Sequence, residues 1–415
     1  MLRPRKQPEA VFGICRNVRS GRGRHRFSSS LLSLIAGFGL LPAFCIVILA
    51  QSTGAQNADP QQLFQEAYDA QQRGDGALAV RKYQELIRVH PEVVAAHANL
   101  GVVLVSLGRY DEAITQYHFA LAEVPGDPAL RLNLGLAYYK KGDFAGAAAQ
   151  FASLHKDDPG NLRVATLLGN CEVPLGLDAE AIALLSPFET ANPDDLDLEW
   201  ALGTALIRSG QTREGLERIQ KVADQGHNPE AYQLAANLYL GLTYFDKARR
   251  DAEEVIRLNP QMPKAYVVLG MVDDYGGDEK GAEEEFEKAL QVDPNDVQAR
   301  VELGSVFCNE RKLDAARQQL DRALAQDPKS YSAMYLLGRV ERAQGNLPAA
   351  VKDFESAERE SPEWLLPHIE LTALYYRLKR PADGAREKRI VDQLGAEERQ
   401  RHEKTHIILP QVPSQ

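Results

Sequence analysis

The hydrophobic and small positions of this chain return in one arrangement every 34 residues. Prolines fall at Pro91, Pro125, Pro159 and Pro193, and again at Pro260, Pro294, Pro328 and Pro362, with one residue fewer than two periods between the sets. A Leu-Gly pair recurs at Leu100-Gly101, Leu134-Gly135, Leu168-Gly169, Leu202-Gly203, Leu269-Gly270, Leu303-Gly304 and Leu337-Gly338. Alanine follows at 113, 147, 181, 248, 282, 316 and 350, and four residues later comes a mostly large side chain, as in Tyr117, Phe151, Leu185, Phe286, Leu320 and Phe354. Between these blocks stand Gly74, Gly108, Gly142, Gly176, Gly210, Gly277 and Gly345. The pattern predicts two helices per period. The mid-period glycine ends the first by taking a left-handed conformation at little cost, and the proline closes the second because it cannot continue the ladder. Small residues then lie where helix axes approach, with the large residue filling the space beside them.

In the third period Leu134, Gly135, Tyr138, Ala147, Phe151 and Pro159 match W-x₂-L-G-x₂-Y, A-x₃-F and P almost position for position, so the chain resembles the tetratricopeptide repeat family. The resemblance implies an all-α fold, an α-solenoid wound as a right-handed superhelix of about ten helix-turn-helix units. The units are 60–93, 94–127, 128–161, 162–195, 196–228, 229–262, 263–296, 297–330, 331–364 and 365–394. Departures occur where Glu66-Ala67 replaces Leu-Gly, Gly215 replaces Ala, Thr243 replaces the turn glycine, and Thr372, Lys379 and Gly384 hold signature positions of the last unit. Irregular end units are expected because one of their sides faces water. Residues 395–415 read as a charged final helix and tail.

Charge divides the chain. Of the net charge of -10, residues 1–55 carry +7 and the remainder -17. An acidic body repels phosphates, which argues against nucleic-acid binding. The basic leader 1–30 runs into an uncharged apolar segment, 31–50, with a linker at 51–59. Twenty apolar residues span about 30 Å, enough for a membrane anchor, whereas a signal peptide needs only about 7–15. A cleavable signal with a cut after Ala55, and an organellar presequence, remain open. With the basic flank preceding the apolar run, residues 56–415 are expected outside the cytoplasm, anchored or secreted. Cys15 and Cys45 lie in the leader; Cys171 and Cys308 show no metal-like spacing and read as small buried or half-buried thiols.

In the resembled family the first helix of each unit lines an inner surface that binds extended peptides or partner helices. By register that surface here includes Phe64, Tyr68, Val102, Leu132, Leu136, Tyr139, Asn170, Trp200, Asn237, Met271, Tyr275, Arg339 and Arg342. Its early part is apolar and its late part basic, which suits apolar and then acidic side chains of a ligand. Phe64 and Tyr68 stand where the family's carboxylate clamp needs Lys and Asn, so that clamp is not expected. One motif points to chemistry: HEKTH, His402 to His406, fits the zinc-binding H-E-x-x-H. No third ligand follows it in IILPQVPSQ, which makes a zinc metallopeptidase a remote alternative. The expectation is a non-catalytic scaffold without cofactor, with an adaptor subunit of an envelope secretion, wall-synthesis or glycan-export assembly as the alternative.

Overall fold

A computed structural model describes residues 59–406, and every regular element among them is a helix. The apolar run 31–50 lies outside these residues, and none of the described helices is long and apolar enough to cross a membrane. The chain divides into two compact bodies at Ala231/Tyr232. The first holds α1 (Pro60–Gln72), α2 (Gly76–Val89), α3 (Val94–Ser106), α4 (Tyr110–Glu123), α5 (Pro128–Lys141), α6 (Phe144–Asp157), α7 (Leu162–Leu175), α8 (Asp178–Glu189), α9 (Leu196–Arg208) and α10 (Thr212–Gly226). The division falls within α11 (Pro229–Gly241). The second body continues with α12 (Phe245–Leu258), α13 (Pro263–Gly276), α14 (Glu279–Val292), α15 (Val297–Asn309), α16 (Leu313–Gln326), α17 (Tyr331–Gln344), α18 (Leu347–Glu360), α19 (Leu365–Arg377) and α20 (Pro381–His406).

Helix boundaries follow local chemistry. Asp127, Asp143, Asn161, Asp195, Asp278, Asp296 and Ser330 each accept a hydrogen bond from a first-turn backbone N–H of the helix they precede. Gly142 closes α5 with φ 85°, and Tyr138 and Tyr139 supply the carbonyls for its N–H. Second helices stop before the periodic proline; α6 ends at Asp157 with Asp158 as its cap and Pro159 beyond. Pro174 and Pro187 instead lie inside α7 and α8, near their C-terminal ends. The final helix runs unbroken to His406, so the charged stretch after 394 continues α20.

Most helix pairs are held by a steric lock. A Cβ added to Gly135 would lie 2.5 Å from the Phe151 ring, so only glycine lets α5 and α6 approach this closely. Phe151 and Ala147 have no exposed surface. Around them Leu136, Tyr139, Leu154, Val164, Leu167, Leu168 and Cys171 form one apolar cluster spanning α5, α6 and α7, so the second helix of one unit also packs the first helix of the next. The lock recurs at Gly101 on Tyr117, Gly270 on Phe286 and Gly338 on Phe354.

A polar staple joins consecutive pairs. His97 places Nε2 2.9 Å from the Pro91 carbonyl oxygen and Nδ1 2.8 Å from Gln116 Oε1. Arg131 donates to Pro125 O at 2.9 Å and to Gln150, and Arg300 to Pro294 O and, at 2.8 Å, to Gln319. Each staple residue stands three before the leucine of a Leu-Gly pair. It satisfies a carbonyl that the proline leaves beyond a helix end, while the amide partner sits on the second helix of its own unit.

Truncating the lock tests this account. Phe151→Ala should destabilise the first body by roughly 3–5 kcal/mol, because the cavity borders three helices that relax little. Gly135→Ala should cost about 1–3 kcal/mol through overpacking. Guanidinium unfolding followed by circular dichroism checks both, and a Gly135→Ala midpoint at or above wild type would refute the lock.

Candidate functional site

First helices of successive units touch one another: α1 with α3, α3 with α5 and α7 with α9 in the first body, and α13 with α15 and α15 with α17 in the second. In each body they form a layer whose outward registers hold the sequence-selected residues. In the first body Phe64 is half-buried, edge-on to Tyr83 at 5.9 Å between ring centroids. Tyr68, Val102, Asn170 and Trp200 are also half-buried. Leu132 packs against the Phe151 cluster, and Leu136 and Tyr139 are buried within it. Tyr139 meets Phe144 edge-on at 5.6 Å, and burial pushes its hydroxyl pKa up. These three side chains therefore serve the packing of α5 against α6 and α7.

In the second body Asn237 accepts a hydrogen bond from Gln233 at 3.3 Å. Met271 is buried, with its sulfur 3.8 Å from Gln298 Nε2. Tyr275 stacks on Phe245 at 5.3 Å. Arg339 donates to Asn309 Oδ1 at 3.1 Å, and the exposed Arg342 pairs with Glu370 of α19. The two arginines border one recess of about 110 Å³, together with Cys308, Arg311, Leu313 and Ala343. Cys171 and Cys308 are both buried free thiols.

Three further residues on this side were not among those selected from the sequence. Arg311 lies in the α15–α16 turn, 34 residues before Gly345, so it fills the turn-glycine slot and adopts φ 65°. Its exposed guanidinium has no ion-pair partner among the described residues. A left-handed non-glycine residue costs about 1–2 kcal/mol, and such strain often marks a functional position. The absence of Gly at 311 was the available signal. Ile369 and Tyr376 on α19 are 43% and 50% exposed, and both fall on the inner registers of Tyr335 and Arg342 one period on. His402 and His406 end α20, and their side chains lie outside the described atoms.

Tetratricopeptide repeat profiles match residues 64–128 and 309–363, 104–171, and 229–262 with 263–296, which together cover more than half of the chain. The chain belongs to the tetratricopeptide repeat family. Solved structures similar to it include MamA 41-end from Desulfovibrio magneticus RS-1, 22% identical over 41% of this chain and 96% of that one, TM-score 0.35. Others are the APC/C hetero-tetramer Cut9-Hcn1, 15% identical over 81% and 87%, TM-score 0.49, and the IFIT1 monomeric mutant with Gppp-AAAA, 15% over 81% and 90%, TM-score 0.46. A comparison with curated proteins gives no match. Tetratricopeptide repeat proteins bind other proteins, which is consistent with protein partners for this chain.

The same layer contains a perturbed acid. Burial, and then the charge of Asp274, pushes the Glu302 carboxyl up to about 7. Glu302 in turn raises the Tyr275 hydroxyl, after burial, to about 12. An unfolded chain loses the Glu302 proton near its ordinary value of 4.5, whereas the native chain keeps it to about 7. The native state thus binds more protons between these values, and this group's contribution is full below 4.5 and is lost as pH rises through 7.

Two outcomes follow. Glu302→Gln should flatten the fall in melting temperature between pH 5 and 7.5; parallel profiles for variant and wild type would assign the slope elsewhere. Arg311→Gly should raise the stability of the second body by about 1 kcal/mol by relieving the left-handed strain. A lower unfolding midpoint in urea would show that Arg311 makes stabilising contacts that outweigh it.

Proposed function

We propose that this protein is a non-catalytic scaffold that holds peptides or partner helices on the layer of first helices, with its principal contact surface at the end of the second body. One observation carries the reading: exposed Ile369 and Tyr376 stand on α19, whose Glu370 holds Arg342 at the recess shared with Arg311 and Arg339. Ile369 and Tyr376 stand two turns apart on one face of α19, and three arginines about a recess favour carboxylates. The fitting partner presents apolar side chains next to acidic ones. In an otherwise acidic body, this local positive charge also selects against partners that bind by basic surfaces.

The basic segment ahead of the apolar run at 31–50 supports placement of the array outside the cytoplasm, with that run as anchor or signal. Both lie outside the described residues. In the first body half-buried Tyr68, Val102 and Trp200 lie on its own layer of first helices, which buried Leu136 and Tyr139 support from beneath, as buried Met271 does for the layer of the second body.

Crosslinking on isolated membranes, with fragment 56–415 as bait, tests the proposal. A reproducible partner should be captured by wild type and lost on Ile369→Asp and on Arg339→Glu combined with Arg342→Glu, while Phe119→Asp on the second-helix side leaves capture intact. Equal capture by all variants would place the interaction on another face.

A further inference from the structure

His368 occupies the staple register of the last helix pair, yet its surroundings differ from those of the other staples. At the position ten residues before the staple residue, His97, Arg131 and Arg300 have Ile87, Leu121 and Leu290; His368 has Glu358. At the position nineteen residues after, they have Gln116, Gln150 and Gln319; His368 has Glu387. Carboxylates thus replace an apolar and an amide neighbour together. His368 and Glu387 are buried, and Glu358 keeps partial access to solvent.

The imidazole orientation is set by Nε2, which stands 3.0 Å from Pro362 O and must donate to it. Nδ1 then faces Glu387 Oε2 at 2.8 Å and Glu358 Oε1 at 3.9 Å, while Arg386 pairs with the opposite oxygen of Glu387, Oε1, at 3.0 Å. At 2.8 Å, Nδ1 and Glu387 Oε2 share one cation, either a proton in a hydrogen bond or a metal ion beside them. Donation of the far ring N–H to a backbone carbonyl is the arrangement that orients metal-bound histidines.

We propose that Glu358, His368 and Glu387 form a site for a divalent transition-metal ion, zinc being the representative case. The three donor atoms come from α18, α19 and α20 and lie within 4.8 Å of one another. One imidazole nitrogen and two carboxylate oxygens suit zinc, with water completing a tetrahedron on the open side of Glu358. The ion would join the last three helices and so reinforce the end of the array that carries Ile369 and Tyr376. The site stands independently of what that surface binds.

The test uses the full-length protein with His402→Ala and His406→Ala, so that the terminal pair contributes nothing. After chelator treatment it is titrated with zinc sulfate against a chromophoric chelator. One equivalent should bind and raise the melting temperature. Glu358→Gln should weaken binding by at least about tenfold. The double change His368→Arg with Glu387→Gln recreates the Arg131–Gln150 staple, so it should melt like the metal-free parent and lose that equivalent. Zinc uptake equal in parent and double variant, or no uptake by the parent at micromolar zinc, would overturn the site and leave a shared proton as the cation between His368 and Glu387.

Discussion

The contact of a glycine on the first helix of a pair with a large side chain on the second is the constraint on which this architecture depends. With Gly135 against Phe151, the two axes come close enough for a single aromatic ring to fill the gap and lose all exposure to water. No pair can bury its remaining apolar face alone, so Leu154 and its neighbours turn to the next first helix, and the array grows by repetition. Aromatic residues are few in the chain, which suits a core whose close approaches rely on Gly and Ala.

Apolar contact sets the spacing of neighbouring units but does little to fix their relative rotation. The staples add direction. At His97, Arg131 and Arg300 a donor on a first helix reaches back to the carbonyl of the preceding proline and sideways to an amide on its own second helix, so three points define each of these joints. The family's pattern puts tryptophan at this register, and here His97, Arg131, Arg300 and His368 replace it with directed hydrogen bonds. The cost is that buried polar groups must each find partners, and at His368 the partners are carboxylates.

The proposed contact surface lies where these rules are relaxed. Arg311 accepts a strained backbone in a slot that glycine fills in most units, and it adds a cation beside Arg339 and Arg342. Ile369 and Tyr376 keep inner-face registers on the last first helix, and the half-exposed Tyr376 ring also rests on Gly384 of α20. Exposed apolar surface is tolerable on the last helix pair because no following unit depends on its packing.

The 34-residue period, the helix pairs, the glycine turns and the matching of Gly135 with Phe151 were all legible from the order of residues, because each rests on interactions within one repeat. Register also placed Phe64, Tyr68 and Trp200 on the face of the first helices. It could not separate Trp200, half-buried, from Tyr139, buried against Phe144 and the Phe151 cluster, since a register gives a direction from one helix axis and not the depth of what lies in that direction. The pairing of Arg339 with Asn309, the recess at Arg311, and the meeting of Glu358, His368 and Glu387 from three helices were decided only by the tertiary structure. They depend on how one helix pair is placed against the next, and that placement is set by apolar and hydrogen-bond contacts across the joint, which no single repeat contains.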